Sequence, residues 1–504
     1  MNLHIHFNQF VSTLALRLQL IIARLAALGF FVLVAGCAKI ATRPELYPDN
    51  WAPQSSDREW TPSPAVASHY TIGSTTDRLT SPATTPLPKR QTYDLVGLID
   101  IALRNNPKTW QKWEAARSAA AQFGAAQAPY YPQADVQSVN GYERTIVELP
   151  GQPGKLKQWQ SQSVMEITYT LLDFGRRHSA AEAARNRLIA SNFSFNRAIQ
   201  DVVFTTQSAF YAVDAAQAAV TAAEQNLALA QTDFEAVRQR VDLGLATQPE
   251  LLLAKERVAQ SLFDLANAHL LVHDAEAQLA VALGLPANAL PRVEGLEHEP
   301  VPKSLNAKVD MLIGQARRQR PDLAARVASL RASEADVSLA RAQFFPVVGL
   351  SATYGENIWN FTFGTPRTVQ TSQPQYSALL GLKWDIFTGF RRLNDVRRTE
   401  ADREAARAEL KTLAIDTTAQ VWRAYYEFES SLSKYDYAES LLGASQESYD
   451  ANLETYRQGL STIVELLTAE RDLANARYTI IQSKAELLTA YAAVAYAAGA
   501  VRNP

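Results

Sequence analysis

Cysteine is all but missing from this chain of 504 residues: Cys37 is the only one. An internal disulfide and a thiolate metal cluster are therefore excluded. Histidines are few and scattered, with no HExxH pair, and neither a GxSxG elbow nor a phosphate-cradling glycine loop occurs. The usual marks of metalloprotease, hydrolase and nucleotide chemistry are thus absent, and no catalytic or metal site is expected. No sign of charge dominates: the formal net charge is −2, with no basic excess for a nucleic acid. Beyond the first 40 residues no run of 18 consecutive apolar residues exists, so no transmembrane helix is expected there. If such a chain crosses a bilayer, it must use strands.

What is present begins with a targeting pattern. Arg17 and Arg24 precede the apolar run 25–36, too short to span a bilayer but suited to a signal peptide over residues 1–36. The run ends in Val34-Ala-Gly-Cys37, similar to the bacterial lipobox, whose cysteine is lipidated. That resemblance makes the covalent lipid at Cys37 the one expected prosthetic group. Ala38 follows, not the aspartate that retains many lipoproteins at the inner membrane, and this points to the outer membrane. Several acyl chains give stable anchoring where one is marginal. Residues 37–92 are a proline-rich arm.

The remainder is an internal duplication. Pro107 matches Pro321 and Pro132 matches Pro346 at an offset of 214. Tyr211 matches Tyr426, Gly244 matches Gly459, Glu250 matches Glu465 and Gly284 matches Gly499 at an offset of 215. The repeats are placed at 93–290 and 308–499, with a linker at 291–307 and a tail at 500–504. Each reads as a helix (95–128 and 308–344), two strands around a polar loop (143–161 and 356–374), a long helix (177–242 and 392–457) and a returning helix (248–283 and 463–498).

The strands alternate. Met165, Ile167, Tyr169 and Leu171 share one face; so do Val348, Leu350, Ala352 and Tyr354; so do Tyr376, Ala378, Leu380, Leu382, Trp384 and Ile386. One apolar face and one polar face suit lipid outside and water within, and equally a half-buried soluble sheet. The first long helix carries an unbroken heptad seam, Val213, Ala216, Val220, Ala223, Leu227, Ala230, Phe234, Val237 and Val241. The second seam is wetter, with Ser431, Tyr435, Ser445, Asn452 and Tyr456. A helix of about 65 residues reaches roughly 100 Å, a rod or the wall of a tunnel.

Each long helix breaks at Gly-Leu-x-Thr. Gly244 and Gly459 supply the freedom a tight interhelical turn needs. Thr247 and Thr462 are placed to cap the returning helices, with Pro249 in the first turn. Glu250 and Glu465 suit first-turn acids that complement the helix dipole. Four strands cannot close a membrane barrel, which starts at about eight. Three copies would supply twelve.

The ordered set resembles the TolC-type outer membrane factor family in its lipoprotein form. It comprises the duplicated unit, the junctions "LLDFGRR" (171–177) and "IFTGFRR" (386–392), the two tips, and "LANARYTIIQSKAELL". The resemblance covers residues 93–499. It implies a mixed α and β membrane protein, a homotrimer whose twelve-stranded outer-membrane barrel continues as a long periplasmic α-helical barrel. It implies the exit duct of a tripartite efflux pump or type I secretion system. Its partners would be a periplasmic adaptor, an inner-membrane transporter of the RND, ABC or MFS type and outer-membrane lipid, with no nucleic acid. The tips Gly244, Leu245, Thr247, Gly459, Leu460 and Thr462 would dock the adaptor. Glu465 would project into the closed tunnel end, with Thr468 where a second acid is usual, and Tyr456 would bond across to Glu250. The competing reading is a periplasmic coiled-coil lipoprotein, a tether or adaptor subunit, which needs neither the duplication nor the amphipathic strands.

Overall fold

Two prolines divide what the sequence pattern presents as single helices. In the computed structural model α1 (Leu95–Asn105) stops before α2 (Pro107–Gln127), and α5 (Val309–Gln319) stops before α6 (Pro321–Ala342). The helices expected at 95–128 and 308–344 are therefore pairs. Proline lacks an N–H and disfavours a helical residue before it, so Asn106 and Arg320 are extended (φ −69°, ψ 122° and φ −70°, ψ 121°).

The structure describes residues 92–149, 152–289, 292–293, 301–305, 307–363 and 368–500. All lie in one folded unit, Ala83–Pro504. The expected leader, Cys37 and the arm up to residue 91 lie outside the described residues. Within the expected linker, β4 (Arg292–Val293) pairs in parallel with β1 (Thr92–Tyr93).

Four long strands form one antiparallel sheet in the order β2 (Gln133–Leu149), β3 (Gln152–Leu172), β5 (Val347–Phe363), β6 (Thr368–Lys383). Register aligns like with like. Val136, Met165, Tyr354 and Tyr376 form one cross-strand row, and all four side chains are exposed. One residue along, Asp135, Glu166, Thr353 and Ser377 form the next row, on the opposite face. Among the described elements no helix packs across the sheet, so the apolar face has no soluble layer to cover it.

The strands run through most of the expected loops 143–161 and 356–374. At ~3.3 Å per residue a 17-residue strand such as β5 reaches about 55 Å, well past a ~25 Å apolar band. Much of this upper sequence is polar, and that conceals the strand. At the other end β6 stops at Lys383. Trp384 therefore leaves the expected strand face, and its indole N–H donates to the Phe344 carbonyl (2.9 Å).

The sheet passes into helix through two consecutive left-handed residues: Phe174 (φ 53°) and Gly175 (φ 89°), then Gly389 (φ 61°) and Phe390 (φ 62°). Arg177 holds the first turn through Asp173 (2.9 Å) and the Thr170 carbonyl (2.6 Å). Arg392 holds the second through the carbonyls of Gln343 and Asp385.

From these turns run α3 (Arg176–Asp242) and α7 (Arg391–Arg457), returned by α4 (Gln248–Leu283) and α8 (Ile463–Ala497). At 67 residues, α3 and α7 are each about 100 Å long. No helix among the described residues is long and apolar enough to cross a membrane.

Three apolar clusters hold the helices. Leu98, Ala102, Phe210, Val213, Leu279 and Leu283 join α1, α3 and α4. Leu312, Ala316, Phe428, Leu487 and Val494 join α5, α7 and α8. The third, with Val237, Ala254, Tyr449, Tyr456, Ile463 and Leu466, ties both hairpins together near their tips.

Candidate aperture and docking tips

Both hairpins end alike. Gly244 (φ 76°) and Gly459 (φ 77°) take the left-handed conformation. Leu245 N–H then reaches back to the Arg240 carbonyl (2.7 Å), and Leu460 N–H to that of Thr455 (2.9 Å), the six-to-one bond of a Schellman turn. The side chains of Leu245 and Leu460 stand exposed at the ends. Thr462 caps α8 as expected, its hydroxyl accepting from Glu465 N–H (3.3 Å), whereas Thr247 stands at the start of α4 with no side-chain capping bond. Glu250 accepts from Thr247 N–H (2.8 Å) and Glu465 from Thr462 N–H (2.9 Å). Both acids thus serve helix starts. Glu465 and Thr468 are solvent-exposed, and the Thr468 hydroxyl donates to the Val464 carbonyl (2.7 Å).

The expected bond from Tyr456 to Glu250 is not formed. The Tyr456 hydroxyl is buried without a hydrogen-bond partner, while the Glu250 carboxylate accepts from Thr247 N–H. The tyrosine is instead held by Arg240, whose guanidinium donates to the Tyr456 carbonyl (2.7 Å) and lies 4.6 Å from the ring centre. Burial pushes the Tyr456 phenol up, Arg240 opposes this, and the nearby Glu250 charge adds to it.

Above the tips, more polar bonds cross between the hairpins. Tyr449 donates to Asp233 (3.2 Å). Arg257 is paired with Glu470 (2.9 Å). Arg477 donates across to Asn226 (2.7 Å) and, within its own hairpin, to Gln446 (3.4 Å). Asn226, Asp233 and Arg240 follow one another at seven-residue steps along α3, as do Glu470 and Arg477 along α8. The rungs of this ladder therefore lie about 10 Å apart. Burial raises the carboxyl groups of Asp233 and Glu470 above the usual carboxylate range, although Tyr449 and Arg257 respectively oppose it.

None of these residues beyond Tyr456 stands out in the sequence, where attention falls on the apolar seam beside them. A signal was nevertheless available. Arg240 and Tyr456 are 216 residues apart, Asp233 and Tyr449 also 216, Arg257 and Glu470 213. These separations nearly equal the repeat. Duplicated helices that meet side by side bring equivalent heights together, so complementary residues one repeat apart are candidate partners. Among the described residues no cluster of His, Cys, Asp or Glu suits a metal ion.

The geometry so far is a duplicated hairpin that carries an open-edged, lipid-suited sheet at one end and paired tips at the other. The model of the outer membrane efflux protein family matches residues 98–285 and 312–500. The chain belongs to the outer membrane efflux protein family. The two matched segments fall one on each copy of the duplicated unit, and the tether reading falls, because the family is one of outer membrane efflux channels. Protein CyaE of Bordetella pertussis is 27% identical over 431 residues, 83% of this chain and 86% of that one. The probable outer membrane lipoprotein SilC of Salmonella typhimurium is 24% identical over 76% of this chain and 81% of its own. The outer membrane protein VceC of Vibrio cholerae superposes with a TM-score of 0.68 at 18% identity, covering 80% of this chain and 96% of that one.

Proposed function

We propose that three copies of this outer membrane channel protein pool their strands into a twelve-stranded barrel and their helices into a periplasmic tunnel. The tunnel serves as the exit duct of a tripartite efflux pump or type I secretion system. One observation carries this reading: β2 and β6 are unpaired edges of a sheet whose apolar face is exposed. An open edge in hydrocarbon leaves backbone N–H and C=O groups unsatisfied. Four strands are too few to close alone, and identical neighbours complete the ring.

In that assembly the six tips, with Gly244, Leu245, Thr247, Gly459, Leu460 and Thr462, meet a periplasmic adaptor that links them to an inner-membrane transporter. The exposed leucines give that partner an apolar knob at each turn. Cys37 anchors the mature chain by lipid, a reading supported by the lipobox-like sequence and by the name of the relative SilC. Glu465 and Thr468, both exposed just inside the second tip, line the narrow end, with Glu250 and Tyr456 beside them.

The deciding experiment is on the purified chain. Unboiled protein should run as a trimer on a gel and collapse to monomer on heating, and it should conduct ions in planar bilayers. A monomer without conductance would refute the duct. For the aperture, Glu465→Gln keeps the capping bond and removes the charge. Block by divalent cations should weaken several-fold; unchanged block removes Glu465 from the aperture. Cys37→Ser should end labelling by radioactive palmitate, and persistent labelling would dismiss the anchor.

A further inference from the structure

The strands outrun the apolar band, and the rows they carry past it are not uniform. The row Val136, Met165, Tyr354 and Tyr376 is the last on its face to hold only apolar and aromatic residues. The next row on that face is Ser138, Ser163, Glu356 and Pro374. Two rows farther, Tyr142 is directly opposite Trp159, and both side chains are exposed, at 58% and 51%. One row beyond, Arg144 is paired in register with Lys157, and Lys155 holds the position after that. Strand alternation assigns all of these positions to the face that carries Met165.

Two cations directly opposite one another weaken a sheet. The acids nearby do not relieve the pair. Glu143, beside Arg144 in sequence, belongs to the other face and accepts from Gln158 (2.7 Å). Glu356 is three rows back toward the apolar band and accepts from the Ser372 hydroxyl. Glu148 is at the hairpin end, past the row of Lys155. Trp159 lies six residues and Lys157 eight residues beyond Met165, roughly 20 Å and 26 Å along the strand. With strands tilted by about 40°, these positions stand roughly 15–20 Å above the apolar edge.

We propose that Tyr142, Trp159, Arg144, Lys157 and Lys155 form a docking collar for the anionic core saccharide of lipopolysaccharide, the glycolipid of the outer leaflet. The collar rests on the duct reading, which decides which end and which face are outward. The helices leave the opposite end of the sheet, so this end is extracellular, and the face of Met165 points away from the lumen. The apolar face runs without interruption into the collar. Lipids packed on Met165 and Tyr376 are therefore the molecules whose head groups rise past it. A phospholipid head group ends within a few ångströms of the apolar edge, below the collar, whereas core sugars with their carboxylates and phosphates extend to it. Arginine and lysine give those anions charge-assisted hydrogen bonds. Tyrosine and tryptophan offer sugar rings a rigid face with a polar tip. An anion set between Arg144 and Lys157 turns a repelling pair into a bridged one.

The test titrates the purified full-length trimer, in detergent, with three glycolipids. They are rough lipopolysaccharide with a phosphorylated inner core, the same molecule stripped of core phosphate, and lipid A alone. The intact core should bind tightest. The double variant Arg144→Gln, Lys157→Gln should bind it about 10–30-fold more weakly, the scale of two charges beside an anionic surface, with lipid A binding unchanged. Lys383→Gln, an equal loss of charge at the periplasmic end of β6, should bind like the wild type. Equal binding of the three glycolipids, or wild-type core binding in the double variant, overturns the collar. If the double variant does not assemble, salt decides. Raising it from about 0.05 to 0.5 M should remove most of the wild-type preference for the intact core, and a preference that ignores salt overturns the collar.

Conductance of the same preparations in planar bilayers separates the collar from the duct. Core-dependent binding that the double variant loses, in a protein that passes no current, keeps the collar and removes the duct. A conducting trimer that binds all three glycolipids alike keeps the duct and removes the collar.

Discussion

The first hairpin turns at Gly244 and the second at Gly459, with φ of 76° and 77°, the same backward bond and the same acid accepting from the threonine N–H. Higher up the two repeats part company. Where α1 meets α2, the Asn106 side chain donates to the Ala282 carbonyl (2.8 Å). At the matching joint of α5 and α6, Arg320 reaches the Ala497 carbonyl (3.4 Å), and it also holds Asp322 (2.6 Å) and Gln420 (2.8 Å). The divergence is deeper in the ladder. Asn226, Asp233 and Arg240 of α3 correspond to Leu441, Ser448 and Thr455 of α7, and Glu470 of α8 corresponds to Lys255 of α4. At the tips and at the ends of the returning helices both repeats keep a left-handed glycine, whereas at the sheet-to-helix turns glycine and phenylalanine exchange places, Phe174-Gly175 against Gly389-Phe390. Where the demand is a bond to a buried carbonyl, different side chains meet it. Where the repeats touch each other, sameness would set acid against acid, and the links across the hairpins had to come from divergence.

The largest effects should come from the glycines that close the returning helices. Gly284 and Gly499 share a φ of 72°. A Cβ at Gly284 would lie 2.6 Å from the Asn105 carbonyl oxygen, which is backbone and cannot step aside. At Gly499 the fit is looser, with Arg320 Cγ at 3.0 Å and the Arg320 backbone N and Cα at 3.1 and 3.2 Å. Gly284→Ala should therefore cost roughly 3–6 kcal/mol, left-handed strain plus overpacking. Gly499→Ala should cost about 2 kcal/mol, mostly strain. Trimer dissociation temperature compares them, and equal losses would mean that the joints are equally tight.

Next comes the joint itself. Arg320 is 2% exposed, and its loss strands Asp322 and Gln420. Arg320→Ala should cost about 3–5 kcal/mol, the range for breaking a buried pair on one side. Asn106→Ala, which removes a cap and one buried bond, should cost about 1–2 kcal/mol. The two should also differ in acid. Burial pushes the Asp322 carboxyl up, but hydrogen bonding and charge from Arg320 outweigh it and hold the group below its ordinary value. A lowered carboxyl stabilises above its unfolded value and loses that contribution as pH falls through the folded one. Wild-type stability should accordingly fall more steeply than that of Arg320→Ala as pH drops below about 4. Parallel profiles would exclude Asp322 as the cause.

How much of this was legible depended on contrast. The long helices were readable to within a residue, because an apolar seam and a glycine-threonine stop mark them at both ends. The lower halves of the strands were readable because Met165, Ile167 and Tyr169 alternate with Glu166, Thr168 and Thr170. The upper halves are harder to read, because Trp359, Phe361 and Phe363 alternate among polar neighbours that suit a loop as well. The α1–α2 and α5–α6 joints were overlooked although Pro107 and Pro321 announce them. A proline at the first position of a helix starts it as readily as it interrupts one. At the tips one expected pairing, Tyr456 with Glu250, is not formed. A tyrosine three residues before the turn gives no sign of whether it bonds an acid or stacks on an arginine. The ladder needed a partner search one repeat away.

The smallest effect bears most directly on whether the two tips are alike. Thr462→Ala removes the hydroxyl that caps α8 and should cost about 1 kcal/mol. Thr247→Ala should cost less, because the Thr247 hydroxyl makes no capping bond. The glycine φ and the acid at the third helical position are shared. Pro249 fixes the backbone of the first tip where the second has Val464. Trimer dissociation should therefore move more for Thr462→Ala, and equal shifts would mean that the two caps are equivalent. If the second hairpin carries the motion, a frayed start to α8 alters conductance or export in Thr462→Ala alone, because Pro249 keeps α4 started without its cap. Equal export in both variants would make the tips simple turns.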